Sequence, residues 1–141
     1  VTIDTAMRAR LLSLSPVTTL VGTSVWAGPK WPQKPELPAI LVFIASQVER
    51  MHTRGPDVFS ATIQVNSRAL SRAGALAVDA AVQGNGLGPN ATGLKGWKGT
   101  ASGIVVHAVL PALGFSEGFD PDELQQYVVR RFFNVQFEGT Q

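Results

Sequence analysis

Tyr127-Val128-Val129-Arg130-Arg131-Phe132-Phe133-Asn134-Val135-Gln136-Phe137 is the stretch that decides how this chain folds. Its eleven residues hold no Gly or Pro and are rich in β-branched and aromatic side chains, so they read as one long strand, expected over 125–137. Side chains alternate across a strand. Tyr127, Val129, Arg131, Phe133, Val135 and Phe137 therefore share one face, and Val128, Arg130, Phe132, Asn134 and Gln136 share the other. Both faces carry large apolar groups. The run 102–110 behaves alike, with Ile104, Val106, Ala108 and Leu110 opposing Val105, His107 and Val109. Pro111, Gly114, Gly118 and Pro121 join the two runs into a hairpin.

An earlier pair of runs repeats the arrangement. The continuous apolar segment 39–45 reads as a strand covered on both faces and continuing to about Val48. After the polar connection 49–57, the segment 58–66 alternates, with Phe59, Ala61, Ile63 and Val65 on one side and Ser60, Thr62, Gln64 and Asn66 on the other. The two form a second antiparallel hairpin. Between the hairpins, Ser67 is placed to cap a helix over 68–83 whose stripe is Leu70, Ala73, Ala77 and Ala81, ended by Gly84. At the N-terminus, Ile3, Met7, Leu11 and Leu14 fall on one helical face, and Ser15-Pro16 opens a short second turn that stops at Gly22. Val25-Trp26 reads as a brief strand. The order predicts an α+β fold: a mainly antiparallel sheet of about four strands, with an N-terminal helix and an Ala-rich helix between two hairpins.

Two segments stand outside this pattern. Residues 28–38 hold four prolines, each fixing its own φ and removing a backbone donor, so a semi-rigid extended arm is expected. Its tip residues Lys30, Trp31 and Lys34 are candidates for contact with a neighbour. Residues 84–100 carry six glycines, and a loop this long in one domain is usually functional or disordered.

The 141 residues are expected to form one domain, 1–141. Hydrophobic content is 45%, charged content only 16% and net charge +2. So low a charge fraction leaves apolar surface for partners. With no cysteine there is no disulfide, thiolate metal site or cysteine nucleophile. No basic region followed by an apolar stretch opens the chain, and its longest apolar run is far short of a bilayer span, so no signal peptide and no membrane partner are expected. A soluble, cytosolic domain is the expectation.

Chemistry is sparse. His52 falls in a connection and His107 among valines, with no HExxH pattern. Gly84-Asn85-Gly86-Leu87-Gly88 lacks the spacing and strand–helix setting of a phosphate cradle. Asp120, Asp122 and Glu123 read as a turn. No catalytic residue, cofactor or metal ligand is assigned, and the chain reads as a non-enzyme. What demands explanation is the second sheet face, where Val105, Val109, Val128 and Phe132 need cover. Either the N-terminal helix supplies it, or another copy of the chain does. Arg50 and Arg54 share one loop, and Lys95 and Lys98 flank Trp97 in another. These are solvated loop charges, or, in a ring, cations facing a central channel where they would favour a nucleic-acid backbone.

The run from Leu11-Leu12 through Leu20-Val21-Gly22, Val25-Trp26-Ala27, the proline arm, Leu37-Pro38-Ala39-Ile40-Leu41-Val42, Ala61-Thr62-Ile63-Gln64-Val65-Asn66 with its Ala-rich helix, and the Phe-rich terminal strand resembles the tail terminator (tail completion) family of long-tailed bacteriophages. The glycine-rich stretch is longer than that family leads one to expect. The resemblance implies a virion structural protein at the tail–head junction, assembled in the host cytoplasm. Its subunits would form a hexameric ring that contacts the tail tube protein and the head-tail connector protein, with DNA passing through the lumen. A head-closure or neck protein of the same assembly is the alternative, and a small-ligand-binding α+β domain a more distant one.

Overall fold

In a computed structural model of the chain, which describes residues 2–28, 38–45, 49–52, 58–112, 116–120 and 126–138, two long strands form the middle of the sheet. They are β4 (Val58–Ala69) and β8 (Gln126–Glu138). They pair antiparallel from Val58 opposite Glu138 to Ala69 opposite Tyr127, with Ile63 opposite Phe133 at the centre. Each outer edge is shared by two shorter strands. β2 (Ala39–Ile44) and β3 (Glu49–His52) lie along β4, and β6 (Ile104–Pro111) and β7 (Ser116–Asp120) lie along β8. Two three-residue strands complete the sheet: β1 (Val25–Ala27) beside β2, and β5 (Gly99–Ala101) beside β6.

The sheet thus has eight strands in the order β1-β2-β4-β8-β6-β5, with β3 and β7 off that path, and the β1–β2 pair is parallel. This corrects the expected sheet of about four, mainly antiparallel strands. Two long hairpins are present, and the brief strand expected at Val25-Trp26 is β1, but β3, β5 and β7 carry too little alternation to register in the sequence. The connections at 53–57 and 121–125 lie outside the described residues, as do 29–37 and 46–48.

The two hairpins share an irregularity. Between Ile44 and Glu49 the outer strand advances five positions while its partner moves from Ile63 to Ser60. Between Pro111 and Ser116 the outer strand does the same while its partner moves from Phe133 to Arg130. Both insertions begin opposite the central Ile63–Phe133 pair. The hairpins are therefore related by an approximate two-fold axis through the middle of the sheet.

Three helices, α1 (Ile3–Leu12), α2 (Ser15–Val21) and α3 (Arg72–Gln83), cover one face. Ile3, Met7 and Leu11 of α1, Val17 and Val21 of α2, and Val78 and Val82 of α3 join Ile63, Val65, Phe133, Val135 and Phe137 in one apolar core. Phe133 and Phe137 are fully buried, and Phe137 stacks on Phe59 at 5.8 Å between ring centroids. Burying each such ring stabilises the fold by about 2–3 kcal/mol. The N-terminal helix therefore packs on the same side as α3. It does not cover the second sheet face.

α3 begins later than its sequence suggests. β4 runs on through Ala69, and Ser71, not Ser67, caps the helix by accepting a hydrogen bond from the Gly74 N–H at 3.0 Å. The buried stripe is Ala75, Val78, Asp79 and Val82, while Ala73, Ala77 and Ala80 are exposed. The glycine-rich segment that follows is irregular but packed. Its Leu94 and Lys95 N–H groups donate to Val82 and Gln83 carbonyls at the end of α3, and Ala91, Leu94 and Trp97 are buried.

Candidate interaction surface

The face of the sheet turned away from the helices is built from the opposite alternation of the same strands. Across it run transverse rows set by the register: Phe43, Gln64 and Phe132 in one, and Trp26, Leu41, Asn66 and Arg130 in the next. Ser60, Thr62, Asn134 and Gln136 extend a neutral stripe of hydroxyls and amides along the middle strands. These bond among themselves. Gln64 Nε2 donates to Asn66 Oδ1 at 2.7 Å, and Asn134 Nδ2 donates to Ser60 Oγ at 3.2 Å. Phe43 and Phe132 are half-buried on either side of the stripe. No helix among the described residues packs on this face.

The candidate residues for that surface do not stay together. Phe132 is half-buried on it, and Val105 stands 39% exposed on β6. Val128 also belongs to this face by register but is fully buried. Val109 is on the other side altogether. The register of β6 against β8 shifts between Val106 and Ala108, a β-bulge at His107. One extra residue reverses the facing of every side chain beyond it. Val109 consequently packs in the core opposite Val135, and Leu110 turns outward instead. Strict alternation through 102–110 is thus corrected by a single bulge.

At that bulge His107 Nε2 meets Glu138 Oε2 at 2.6 Å, at the solvent-exposed end of the surface. Arg50 stands in β3 opposite Phe59. Lys95 is half-buried and Lys98 exposed on the glycine-rich segment. Lys30, Trp31, Lys34 and Arg54 lie outside the described residues. Among the described residues no three His, Asp or Glu side chains gather at metal-binding distance. No described helix is long and apolar enough to cross a membrane.

Two polar groups not singled out in the sequence analysis, Asp79 and Arg10, organise the interior. Asp79, 3% exposed, accepts a bidentate pair of bonds from Arg131, Nε to Oδ1 at 3.2 Å and Nη2 to Oδ2 at 2.7 Å, and a third from Gln83. Arg131 does fall on the inward face its strand pattern assigns, so a charge there needing an acid was the available signal. Arg10 of α1 reaches the glycine-rich segment, where its Nη2 donates to the Ala91 carbonyl at 2.7 Å and its guanidinium lies 4.4 Å from the Trp97 ring centroid. Burial lowers the Arg10 pKa from its ordinary value, and a guanidinium stays charged regardless.

No protein-family model matches the sequence, and neither does any curated protein. Among solved structures, a chain from the virion of a native gene transfer agent (GTA) particle is similar, with a TM-score of 0.63 and 18% sequence identity over 97% of this chain and 95% of that one. At that identity, what the two chains share is a fold, and they share it over nearly their whole lengths.

Proposed function

We propose that this chain is a virion structural protein that assembles into a ring, terminates a phage-type tail tube and joins it to the head connector. The observation that carries the proposal is the fold likeness to a virion chain over 97% of this chain and 95% of that one. The sheet face on which no described helix packs supports it. Phe43 and Phe132 flank a stripe in which Gln64 bonds Asn66 and Asn134 bonds Ser60, so part of the polar surface a neighbouring protein would cover is already paired. The function proposed is mechanical and not catalytic. The proline-rich stretch, through Lys30, Trp31 and Lys34, would contact the adjoining subunit or connector, and Arg50 and Arg54 would face DNA in the lumen.

The mass of the full chain in solution, measured alone and with purified tail tubes, tests this reading. A ring on the tube end is the expected result. A chain that stays monomeric and ignores the tubes would overturn it.

A further inference from the structure

The bulge at His107 does more than turn Val109 inward. It brings Leu110 onto the sheet face on which no described helix packs, opposite Asn134. That face is open over part of its length. Leu41, Asn66 and Val128 are buried on it. From the row Phe43–Gln64–Phe132 to the row Val58–Glu138–Val105, every described side chain keeps solvent contact, and Leu110 between them is 48% exposed. Strands about 4.8 Å apart and rows about 6.7 Å apart make this part roughly 20 Å by 20 Å, or about 400 Å² of flat sheet. An area of that size is at the low end for a protein partner, so pairing through it is weak and concentration-dependent.

Charge identifies what fits there. Among the described side chains of the open part, the charges stand at opposite ends of one strand, Arg130 before Phe132 and Glu138 at the close of β8. Arg130 is half-buried and has no ion pair among the described residues. Glu138 meets His107 through Oε2, which leaves Oε1 to accept a further donor. Asn134 lies midway between the two, which are about 27 Å apart along the strand. One cation and one acid exert no net pull on nucleic acid, but they match a reversed copy of themselves. We infer that the open part of this face pairs with the same face of a second copy, about a two-fold axis that crosses the strands at the Asn134–Leu110 row. Turning the sheet end for end about that row sets Arg130 of each chain over Glu138 of the other, and Leu110 over its own counterpart. Sheets stacked about 10 Å apart bring such side chains together. A contact of this kind is isologous, whereas a ring closes through two different surfaces. The pair is therefore a form of the free chain, and it stands or falls separately from the ring reading.

Sedimentation equilibrium of the full chain without tail tubes tests the pairing, with thermal melts as a folding control. Wild type should show a reversible monomer–dimer equilibrium. Arg130→Glu and Glu138→Arg should each weaken it at least tenfold. The variant carrying both changes should regain it, as should an equimolar mixture of the two single variants. Equal pairing by all of these proteins, or no recovery in the double variant and the mixture, overturns the proposal. The axis has its own test, because the sequence holds no cysteine. A short bis-maleimide should join Leu110→Cys chains into pairs of twice 15.0 kDa, and should join Leu87→Cys chains, altered on the glycine-rich segment, far less. Equal linking at both positions, or none at 110, overturns the two-fold contact. Rings formed by chains that never pair overturn this contact alone, and pairs that ignore tail tubes overturn the ring reading alone.

Discussion

Asp79 shows how a single side chain can hide a buried face. Its helix buries Ala75, Val78, Asp79 and Val82, spaced as one stripe, but a carboxylate in that stripe argues against burial unless a cation meets it. Arg131 meets it from β8 with two hydrogen bonds. Removing one partner of a fully buried pair costs about 3–5 kcal/mol, while replacing both with apolar groups is often neutral. Arg131 keeps some solvent contact, so Asp79→Ala should cost about 2–3 kcal/mol, less than the fully buried case. Asp79→Ala with Arg131→Met should cost clearly less than the sum of the two single changes. Urea unfolding of the four proteins checks this, and additive costs would contradict it. Gly93 sets a different constraint. A Cβ there would lie 2.4 Å from the Gln83 carbonyl oxygen, whereas at Gly103 nothing lies within 4 Å and only the positive φ resists substitution. Gly93→Ala should destabilise by roughly 3 kcal/mol, and Gly103→Ala by about 1 kcal/mol. Equal losses in thermal unfolding would show that the close approach of Gly93 to the end of α3 matters little.

The elements that were legible are the ones long enough to display a period. β4 and β8 announce themselves through alternation, and the first helix through its apolar spacing. Val25-Trp26 was legible as the brief strand β1, but β3, β5 and β7 are three to five residues each and are stabilised by pairing with longer neighbours, not by their own patterns. The start of α3 was misread for a related reason. Ser67 and Ser71 are equally good caps by composition, and the choice falls to Ser71 because the β4–β8 ladder extends through Ala69. Ser71→Ala should therefore lower stability by about 1 kcal/mol through loss of the bond to Gly74. Ser67 is fully buried and its hydroxyl has no hydrogen-bond partner among the described residues, so Ser67→Ala should be near neutral or stabilising. Chemical denaturation of the pair distinguishes the two serines, and the reverse ranking would place the cap at Ser67. The bulge at His107 was invisible because both Val105 and Val109 are apolar, and nothing in their identities marks which one turns inward.

Among the described residues, α1, α2 and α3 lie on one side of the sheet, and the other side carries a polar stripe with apolar flanks, of which Leu41 and Val128 are buried. The surplus of apolar side chains across two strand faces was readable in sequence. Which face the N-terminal helix would take was not, since its stripe fits either. Phe132 lies half-buried on the helix-free face, opposite Gln64 and away from the core ring of Phe133. Phe132→Asp should thus weaken assembly strongly while lowering monomer stability by no more than about 1–2 kcal/mol. Paired melting and sedimentation data check it, and an unfolded variant would place Phe132 in the essential core.

Whether the chain closes on copies of itself, as proposed, is decided by its mass in light scattering, in free solution and with purified tail tubes. The expected result is a discrete species several times the 15.0 kDa chain, about 90 kDa for the six copies that the tail terminator resemblance implies. A 15.0 kDa monomer at every concentration, with no association with tail tubes, would contradict it.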